Sequence, residues 1–565
     1  MTRENGHRSR LLVRGAQFAC AILLACLAFN LLEYGWLKSL SVAHTMYFRR
    51  DALYAAVYLG TYAVSVAAII VALFSRSAIA RWTSLVAVFV FVAADVCCRL
   101  VTGDNISFTE VQLILAETSF AGEFLRSYAA SIGKGVLVAG AICGGLLAAV
   151  RWTRVRFGAA WLGLVPLAAV LIYGALWKTV AANYAYPAPL RVPVLVAYTS
   201  MNSLYAGPRQ PVDMAVAAVV RPRAVIVIID ESVRGDSLGI NGSARDTTPY
   251  LASISDRYLN FGITCAASNL SSSTNAILRS GLGLDQLPDR TQLALKQPSI
   301  FQYAKAAGYR TCYLDGQYTT GAKSNYMTDR DLDGLDVVYW AIADEPDPAK
   351  RYGRDQLLAQ RIIDLLADGE PTFIWVNKYG AHYHYEQTYP EHARLFVPTM
   401  PAAQPIDSST EQEVQNSYAN ALRWCVDSFF RTIAPSLDDD TVVLYTSDHG
   451  QSFNEGSRTS THGNRIDPPK SQANVPMLGW GSLLKQRFPD GIDASVDRMS
   501  HYQIFSTLLV LMGFDESEVT SRYGPPLWDP PAGGRVFLSG DVFGRGSVRF
   551  NAFDDVADPL VAPDK

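Results

Sequence analysis

The sequence predicts a transmembrane bundle of five helices followed by an α/β sandwich with a mostly parallel central sheet. Long apolar runs are confined to the first third of the chain, and short β-branched segments alternate with helical patterns in the rest. Hydrophobic residues make up 49% of the 565 residues and charged residues only 18%, which is typical of a protein that lies partly in lipid. The net charge of −3 provides no general attraction for nucleic acid, so we expect no nucleic-acid partner.

Five apolar runs are each close to the roughly 20 residues that cross a hydrocarbon core, and they predict five spanning helices. The runs lie at 15–37, 53–74, 82–101, 133–152 and 157–179. Arginines gather before the first run and in the loops after the second and the fourth, which places those segments in the cytoplasm. With five spans, the C-terminal domain lies outside the inner membrane. Within the third run, we expect Asp95 to pair with Arg99 at the membrane interface in preference to an intramembrane function.

The chain therefore divides into a transmembrane domain at 1–180, a linker at 181–223 and an α/β domain at 224–565. The linker is rich in proline with apolar and aromatic residues between, which predicts a segment lying along the membrane surface. Near the C-terminus, the stretches 535–538 and 547–550 predict a peripheral hairpin.

Within the α/β domain, a polar group follows each predicted strand. We predict strands at 224–229, 310–314, 372–377 and 441–445, and helices at 299–307, 355–367 and 410–433. The groups that follow the strands are Asp230-Glu231-Ser232, Asp315-Gly316-Gln317, Lys378 to His382, and Thr446 to Gly450. Any one of these groups can be explained as a helix cap or a turn. However, ligands bind beyond the carboxyl ends of parallel strands. Together the four groups predict a site.

Carboxylates and imidazoles that converge without cysteine suit a zinc-type centre with one open position. Glu231, Asp448 and His449 are the candidate ligands, and His462 follows His449 across a polar loop that lets it reach the same site. A metal of this kind lowers the pKa of a coordinated hydroxyl, which suits phosphoryl or sulfuryl transfer. The stretch 269–281 begins with hydroxyl residues and turns helical, so an early hydroxyl there lies at a helix N-terminus that favours phosphate. By itself, this stretch is better explained as a serine-rich helix cap.

These residues together resemble the alkaline-phosphatase/sulfatase superfamily, and within it the membrane-bound phosphoethanolamine transferases of Gram-negative bacteria. The resemblance covers nearly the whole chain and includes the five predicted spans. It is carried by Glu231-Ser-Val-Arg234, Arg245-Asp-Thr-Thr-Pro249, Ser447-Asp-His-Gly450, Thr461-His-Gly463 and the stretch 500–508. It implies an alkaline-phosphatase/sulfatase-like sandwich and a multi-pass protein of the bacterial inner membrane whose catalytic domain lies in the periplasm.

The resemblance also implies the roles of the site residues. Glu231, Asp448 and His449 bind Zn²⁺, and the hydroxyl of the nucleophile is the fourth ligand. His382 and His462 contact the transferred phosphoryl group or a second zinc ion and handle protons, so one metal or two stays open. Three further residues are implied to bind substrate: His384 as a substitute for His382, Lys323 near the phosphate, and Glu117 near the phosphoethanolamine pocket.

The resemblance places the nucleophile about nine residues before the Ser/Thr that closes the following helix. Counting back from Ser280 gives Ser271. Thr274 is the second candidate for the nucleophile, because transferases of this family generally use threonine. It is also a candidate for substrate binding. The choice within 271–274 stays open at this point.

The resemblance implies transfer of phosphoethanolamine from phosphatidylethanolamine to an envelope glycolipid or glycan. The route has two steps and passes through a covalent phospho-enzyme, and the acting form is a monomer. Lipid A or the LPS core is the first acceptor to consider, although Gln451 stands where lipid A-modifying members have glutamate. Phosphoglycerol transfer to a periplasmic glucan is the alternative, against which Arg245-Asp-Thr-Thr-Pro249 favours the ethanolamine branch. A sulfatase-like hydrolase is disfavoured because positions 273 and 275 are Ser and Asn, which lack the motif for formylglycine formation.

Overall fold

The structure is a computed structural model, and its contacts divide the chain into two compact units. It describes residues 2–34, 37–49, 52–102, 105–108, 110–111, 125, 128–153, 155–178, 185–201, 204–205, 207–317, 324–400, 411–453, 461–463, 468–545 and 548–554. The membrane unit comprises Met1–Ser203 with Arg545–Ser547. The second unit comprises Leu204–Gly544 with Val548–Lys565 and is named the catalytic unit after the activity expected of it.

Among the described residues of the membrane unit, four helices are long and apolar enough to cross a membrane, by length and composition. They are Gly15–Glu33, Ala52–Leu73, Ala78–Val101 and Ala129–Thr153. The fifth predicted span begins with a 3-10 turn at Ala159–Gly163 and continues as the 15-residue helix Leu164–Lys178. Within the described residues this helix is shorter than a span needs, so the fifth span stays a prediction.

The boundary between the units differs from the one expected near residue 180. The predicted surface linker contains the helix Ala188–Met201, whose Val192 and Leu195 are buried in the apolar core of the membrane unit. The later part of the linker belongs to the catalytic unit, where Arg209 forms a 2.5 Å ion pair with Asp331. The linker is thus divided between the two units. Its helix belongs to the membrane unit because it buries apolar side chains there, and the local composition of the linker did not show which unit they would pack against.

The catalytic unit is built on a seven-stranded sheet. Its strands are β1 Ala224–Asp230, β2 Leu259–Cys265, β3 Arg310–Asp315, β4 Val337–Trp340, β5 Thr372–Asn377, β6 Thr441–Ser447 and β7 Asn474–Trp480. The order is β2-β7-β6-β1-β5-β3-β4. Six of these strands run in one direction, and β7 runs in the opposite direction. The mostly parallel sheet is therefore confirmed, as is the terminal hairpin of β8 Val536–Ser539 with β9 Arg549–Ala552.

Helices cover both faces of the sheet, so the central strands are apolar throughout. Along β1, Ile226 and Ile228 enter the core on one face, while Val225, Val227 and Ile229 enter the core on the other. The α-helices are Pro249–Ser253, Ser271–Ser280, Leu293–Lys296, Ile300–Ala306, Asp329–Asp333, Ala341–Asp344, Arg354–Ala367, Glu411–Leu422, Phe429–Ile433, Ser482–Lys485, Ile504–Leu511 and Glu516–Tyr523. The predicted helix at 410–433 is interrupted by a π-helical turn at Arg423–Ser428.

Candidate active site

The carboxyl ends of β1 and β6 bring the three candidate ligands together. The two strands are parallel neighbours in which Asp230 pairs with Ser447, so the next residues, Glu231 and Asp448, leave the sheet side by side. With His449, these residues offer buried ligand atoms that all lie within 4.8 Å of one another. The predicted trio therefore forms one cluster.

Hydrogen bonds orient these side chains toward each other. Ser232 adopts a left-handed backbone conformation with φ of 62°, which is uncommon for a residue other than glycine. Its backbone N–H donates to Asp448 Oδ1 (3.1 Å) and its hydroxyl donates to Glu231 Oε1 (2.7 Å). His449 Nδ1 donates to the Gly450 carbonyl (2.7 Å), so Nε2 faces the carboxylates, 3.4 Å from Glu231 Oε1. This arrangement leaves the Nε2 lone pair of a neutral His449 available to a metal.

Of the candidate nucleophiles Ser271 and Thr274, Ser271 reaches this cluster. It is the first residue of the helix Ser271–Ser280, and its Oγ lies 3.3 Å from Glu231 Oε2 and 3.2 Å from His449 Nε2. Ser273 and Thr274 are buried, and their hydroxyls donate to the carbonyls of Gly540 and Ser268, respectively. The geometry thus favours Ser271 over Thr274.

The electrostatics of the cluster show a shortage of positive charge. Burial, together with the charge of Glu231, raises the pKa of Asp448 to about 8. Burial opposes protonation of His449, but the charges of Asp448 and Glu231 outweigh it and raise the pKa of His449 to about 9. Burial likewise opposes ionisation of Glu231, yet His449 holds the pKa of Glu231 well below its usual range. The shifts of Asp448 and His449 both favour the protonated forms, which shows that the buried acidic groups have too little positive charge near them.

The residues present fit a zinc ion. Asp448 Oδ2 is buried, and no hydrogen-bond donor among the described residues contacts it, which is the environment expected of a ligand atom whose partner is a cation. Two carboxylates, one imidazole and one hydroxyl are oxygen and nitrogen donors of the kind that zinc accepts in catalytic centres.

His462 lies beside His449. Their rings are stacked with centroids 4.1 Å apart. The backbone N–H of Gly463 donates to the Asn269 carbonyl (3.1 Å), which ties this short segment to the turn before Ser271. Burial and the charge of His449 lower the pKa of His462 well below its usual range, so His462 is neutral.

His382 and His384 differ in their surroundings. His382 is half-buried, and its charge contributes to lowering the pKa of both Glu231 and His462, which places it within electrostatic reach of the cluster. His384 is buried with its ring centroid 4.0 Å from that of Tyr383. Residues 383 and 384 form a bend and are not part of a strand, so strand alternation does not make His382 and His384 point the same way.

Two of the predicted substrate-binding residues, Lys323 and Glu117, lie outside the described residues. Gln451, which departs from the family pattern, is buried and its Nε2 donates to the Tyr385 hydroxyl (2.6 Å).

Gln317 belongs to one of the predicted strand-end groups, but the sequence did not indicate a role for it. Its Nε2 contacts Glu231 Oε2 (3.2 Å) and the Lys378 carbonyl (2.8 Å). It thereby joins the ends of β1, β3 and β5 at the cluster. Its position after a parallel strand was the signal that could have found it.

A second residue without an assigned role is Lys378, which lies fully buried beneath the cluster. Its Nζ is 2.5 Å from Asp230 Oδ2, and it also donates to the Cys425 carbonyl. Asp355 accepts the backbone N–H groups of Tyr379 and Gly380, which fixes the loop that leads to His382. The local sequence around a lysine that follows a strand does not indicate that its side chain pairs with Asp230 on a neighbouring strand.

Comparison with known proteins adds the family. The sulfatase family model matches residues 223–514, more than half of the chain. Over 265 residues, the chain is 33% identical to Kdo(2)-lipid A phosphoethanolamine 7''-transferase of Salmonella typhimurium strain LT2, a match that covers 46% of this chain and 44% of that protein. The chain thus spans about half the length of the curated relatives that it matches.

Solved structures show the same fold. The integral membrane protein lipooligosaccharide phosphoethanolamine transferase A from Neisseria meningitidis matches with a TM-score of 0.60 at 20% identity, over 89% of this chain and 96% of that one. The C-terminal periplasmic domain of EptC from Escherichia coli, in complex with zinc, matches with a TM-score of 0.51 at 21% identity, over 62% of this chain and 98% of that one. Because the family model spans the whole central sheet and its strand-end cluster, the chain belongs to the sulfatase family.

Proposed function

We propose that this protein transfers phosphoethanolamine from phosphatidylethanolamine to an envelope glycolipid or glycan, with Ser271 as the nucleophile. The observation that carries the proposal is the position of the Ser271 hydroxyl, 3.3 Å from Glu231 and 3.2 Å from His449. The relatives named above as lipid A phosphoethanolamine transferases support the choice of group and make lipid A or the LPS core the first acceptor to test.

In this proposal Glu231, Asp448 and His449 hold one Zn²⁺, with the oxygen of Ser271 as a further ligand. A zinc ion bound there lowers the pKa of the serine hydroxyl and offsets the negative charge of the phosphate. A second zinc ion beside His382 and His462 is compatible with the same residues. The likeness to a zinc-containing periplasmic domain supports the choice of metal.

The chemistry divides into two displacements at phosphorus. First, the Ser271 oxygen forms a bond to phosphorus while the bond to the diacylglycerol oxygen breaks, and diacylglycerol leaves with a proton. Second, an acceptor hydroxyl forms the new bond to phosphorus, the bond to Ser271 breaks, and the serine regains a proton. The backbone N–H groups at the start of the helix Ser271–Ser280 stabilise the phosphate oxygens in both steps.

The histidines handle the protons in these steps. His462, which is neutral, accepts the proton of the acceptor hydroxyl, and His382 protonates the departing diacylglycerol oxygen. Lys323 and Glu117 are proposed to bind the phosphate and the ethanolamine, and His384 to bind substrate beside His382.

The membrane unit suits this chemistry because the donor lipid and an amphipathic acceptor are confined to one leaflet. Spanning helices raise the effective concentration of the catalytic unit at that leaflet. We propose a multi-pass protein of the bacterial inner membrane that acts as a monomer with its catalytic unit in the periplasm.

The test is mass spectrometry of envelope glycolipids and glucans from cells that express the wild-type chain, Ser271→Ala or Ser272→Ala. Ser272→Ala is the matched control because it removes a neighbouring, half-buried hydroxyl. We expect a phosphoethanolamine increment with the wild type and the control but not with Ser271→Ala, and the modified species identifies the acceptor. Loss with Ser272→Ala alone contradicts the choice of nucleophile, and a phosphoglycerol increment on a glucan supports the alternative donor.

A further inference from the structure

A fully buried ion pair lies inside the membrane unit. Arg191, on the helix Ala188–Met201, lies 2.5 Å from Asp95 on the helix Ala78–Thr102, and their side chains are 1% and 0% exposed. The expected partner of Asp95 was Arg99, one turn away on the same helix. The observed partner instead joins two helices through residues that are 96 positions apart in the sequence.

Both members of the pair make further hydrogen bonds. The Arg191 guanidinium donates through Nε to the Tyr186 carbonyl (3.1 Å) and through a second nitrogen to the Ile106 carbonyl. Asp95 accepts the backbone N–H of Ile106 (2.8 Å) and the side-chain amide of Asn105 (2.7 Å). The pair therefore holds the helix Ala188–Met201 against both the third span and the segment that follows it.

A second carboxylate fixes the start of the same helix. The backbone N–H of Ala188 donates to Glu33 Oε1 (2.8 Å), and Glu33 is fully buried at the end of the first span. A carboxylate at a helix N-terminus is favourably placed relative to the helix dipole. The helix is thus held by polar side chains at its first and fourth residues.

Apolar packing alone does not explain why this helix carries a buried arginine. Val192 and Leu195 already bury apolar surface in the membrane unit. Charged groups in a membrane interior are costly, and buried polar contacts specify one register where apolar contacts tolerate several. The helix is also the last element of the membrane unit, and the chain enters the catalytic unit at Leu204.

We propose that the Asp95–Arg191 pair is a positioning device that fixes the helix Ala188–Met201, from which the chain enters the catalytic unit. The pair is then required for transfer from a donor confined to the membrane, and it is not required for reaction of a soluble phosphoethanolamine ester. This second consequence rests on the proposed function, whereas the fixing of the helix does not.

The first measurement is maleimide labelling of a Val192→Cys chain in membranes, with the labelled position identified by mass spectrometry. Val192 is 6% exposed, so the introduced thiol is protected while the helix is fixed. The variants are Asp95→Asn, Arg191→Met and the double variant, and the matched control is Arg151→Met, which changes an exposed arginine near the end of another membrane helix.

We expect labelling to accelerate at least about tenfold in both single variants and in the double variant, and to stay at the original rate in Arg151→Met. The double variant removes both charges of the pair together and avoids the unpaired partner that each single variant leaves, so we expect it to stay folded even where a single variant does not. Arg191→Lys keeps the charge opposite Asp95 and should restore part of the protection. The proposal would be overturned if the introduced thiol in the double variant were labelled as slowly as the same thiol in the chain that keeps Asp95 and Arg191.

The second measurement compares transfer from phosphatidylethanolamine vesicles with turnover of a soluble phosphoethanolamine ester by the same full-length proteins. In the double variant we expect vesicle transfer to fall at least about tenfold while soluble turnover changes less than about twofold. An equal fall in both activities would overturn the positioning role. A wild-type protein that turns over the ester but never uses the vesicles contradicts the proposed donor, and the labelling result still decides whether the pair fixes the helix.

Discussion

The hydroxyl oxygen of Ser271 lies 3.2 Å from His449 Nε2, although the two residues are 178 positions apart in the sequence. One comes from a helix N-terminus and the other from the end of β6. Their meeting at the edge of the sheet places a hydroxyl, an imidazole and two carboxylates around one point. The predictions that follow test what each part of this arrangement contributes.

Replacing His449 with Ala should lower the zinc content and the transfer activity together. The substitution removes one of the three buried residues proposed to hold zinc together with Ser271, so we expect activity to fall at least about 100-fold. Zinc per chain is measured by elemental mass spectrometry on purified protein. His392→Ala, which changes an exposed histidine, is the control. A His449→Ala protein with unchanged zinc stoichiometry would show that His449 is not a ligand.

Replacing Lys378 with Met should destabilise the catalytic unit by about 3–5 kcal/mol, because it leaves the buried Asp230 carboxylate without its cation. The double variant Lys378→Met, Asp230→Asn should lose less stability, since neither charge remains. The measurement is chemical denaturation of the full chain in detergent, with the exposed Lys350→Met as control. Equal losses in the single and double variants would mean that the ion pair is not the source of the effect.

Gly380→Ala should weaken zinc binding at least about tenfold through the backbone of Glu231. At Gly380, φ is +60°, and an added Cβ would lie 2.6 Å from the Glu231 carbonyl oxygen and 2.7 Å from its backbone nitrogen. Gly369→Ala is a closely matched control, because its φ of +73° imposes similar strain while no atom lies within 4 Å of the new Cβ. Affinity is measured by competition with a chelator. If the two variants bind zinc equally, displacement of Glu231 does not limit the affinity.

The buried His501 should make the catalytic unit sensitive to acid. Burial lowers the pKa of His501 to about 3, whereas a histidine in the unfolded chain titrates near about 6.5. The unfolded state therefore binds the additional proton between these values, so this contribution to stability is complete above about pH 6.5 and is lost as the pH falls toward 3. At pH 4.5 the loss amounts to about 2–3 kcal/mol relative to pH 7.

The corresponding experiment is denaturation of the full chain at several pH values for the wild type and His501→Gln. The variant should show a shallower fall in stability between pH 6.5 and 4.5, because glutamine does not titrate. His392→Gln should keep the wild-type slope, since that histidine is exposed. Identical slopes for all three proteins would show that His501 is not the acid-sensitive group.

The sheet and the convergence of the candidate ligands were predictable from local patterns. Buried parallel strands are continuous β-branched runs, so Ala224–Asp230 and Thr441–Ser447 could be identified without knowing what packs against them. Parallel strands end at one edge of a sheet, and this rule alone brings Glu231 together with Asp448 and His449.

Long-range side-chain partners were not predictable in this way. The sequence does not distinguish the four adjacent hydroxyl residues at 271–274. Their different directions around the helix axis decide that Ser271 reaches the cluster while Thr274 is buried. Asp95 has an arginine one turn away, yet it pairs with Arg191 because the packing of two distant helices brings that guanidinium to the buried carboxylate.

By itself, then, the sequence determined which segments are apolar enough to enter a membrane, which form strands, and which polar residues follow those strands, because these properties depend on periodicity and composition within a few residues. The tertiary structure decided which hydroxyl faces the ligand cluster, which lysine lies beneath it, and where the membrane unit ends. These features depend on packing between elements far apart in the chain, where side-chain direction and burial are set by neighbours that no local pattern contains.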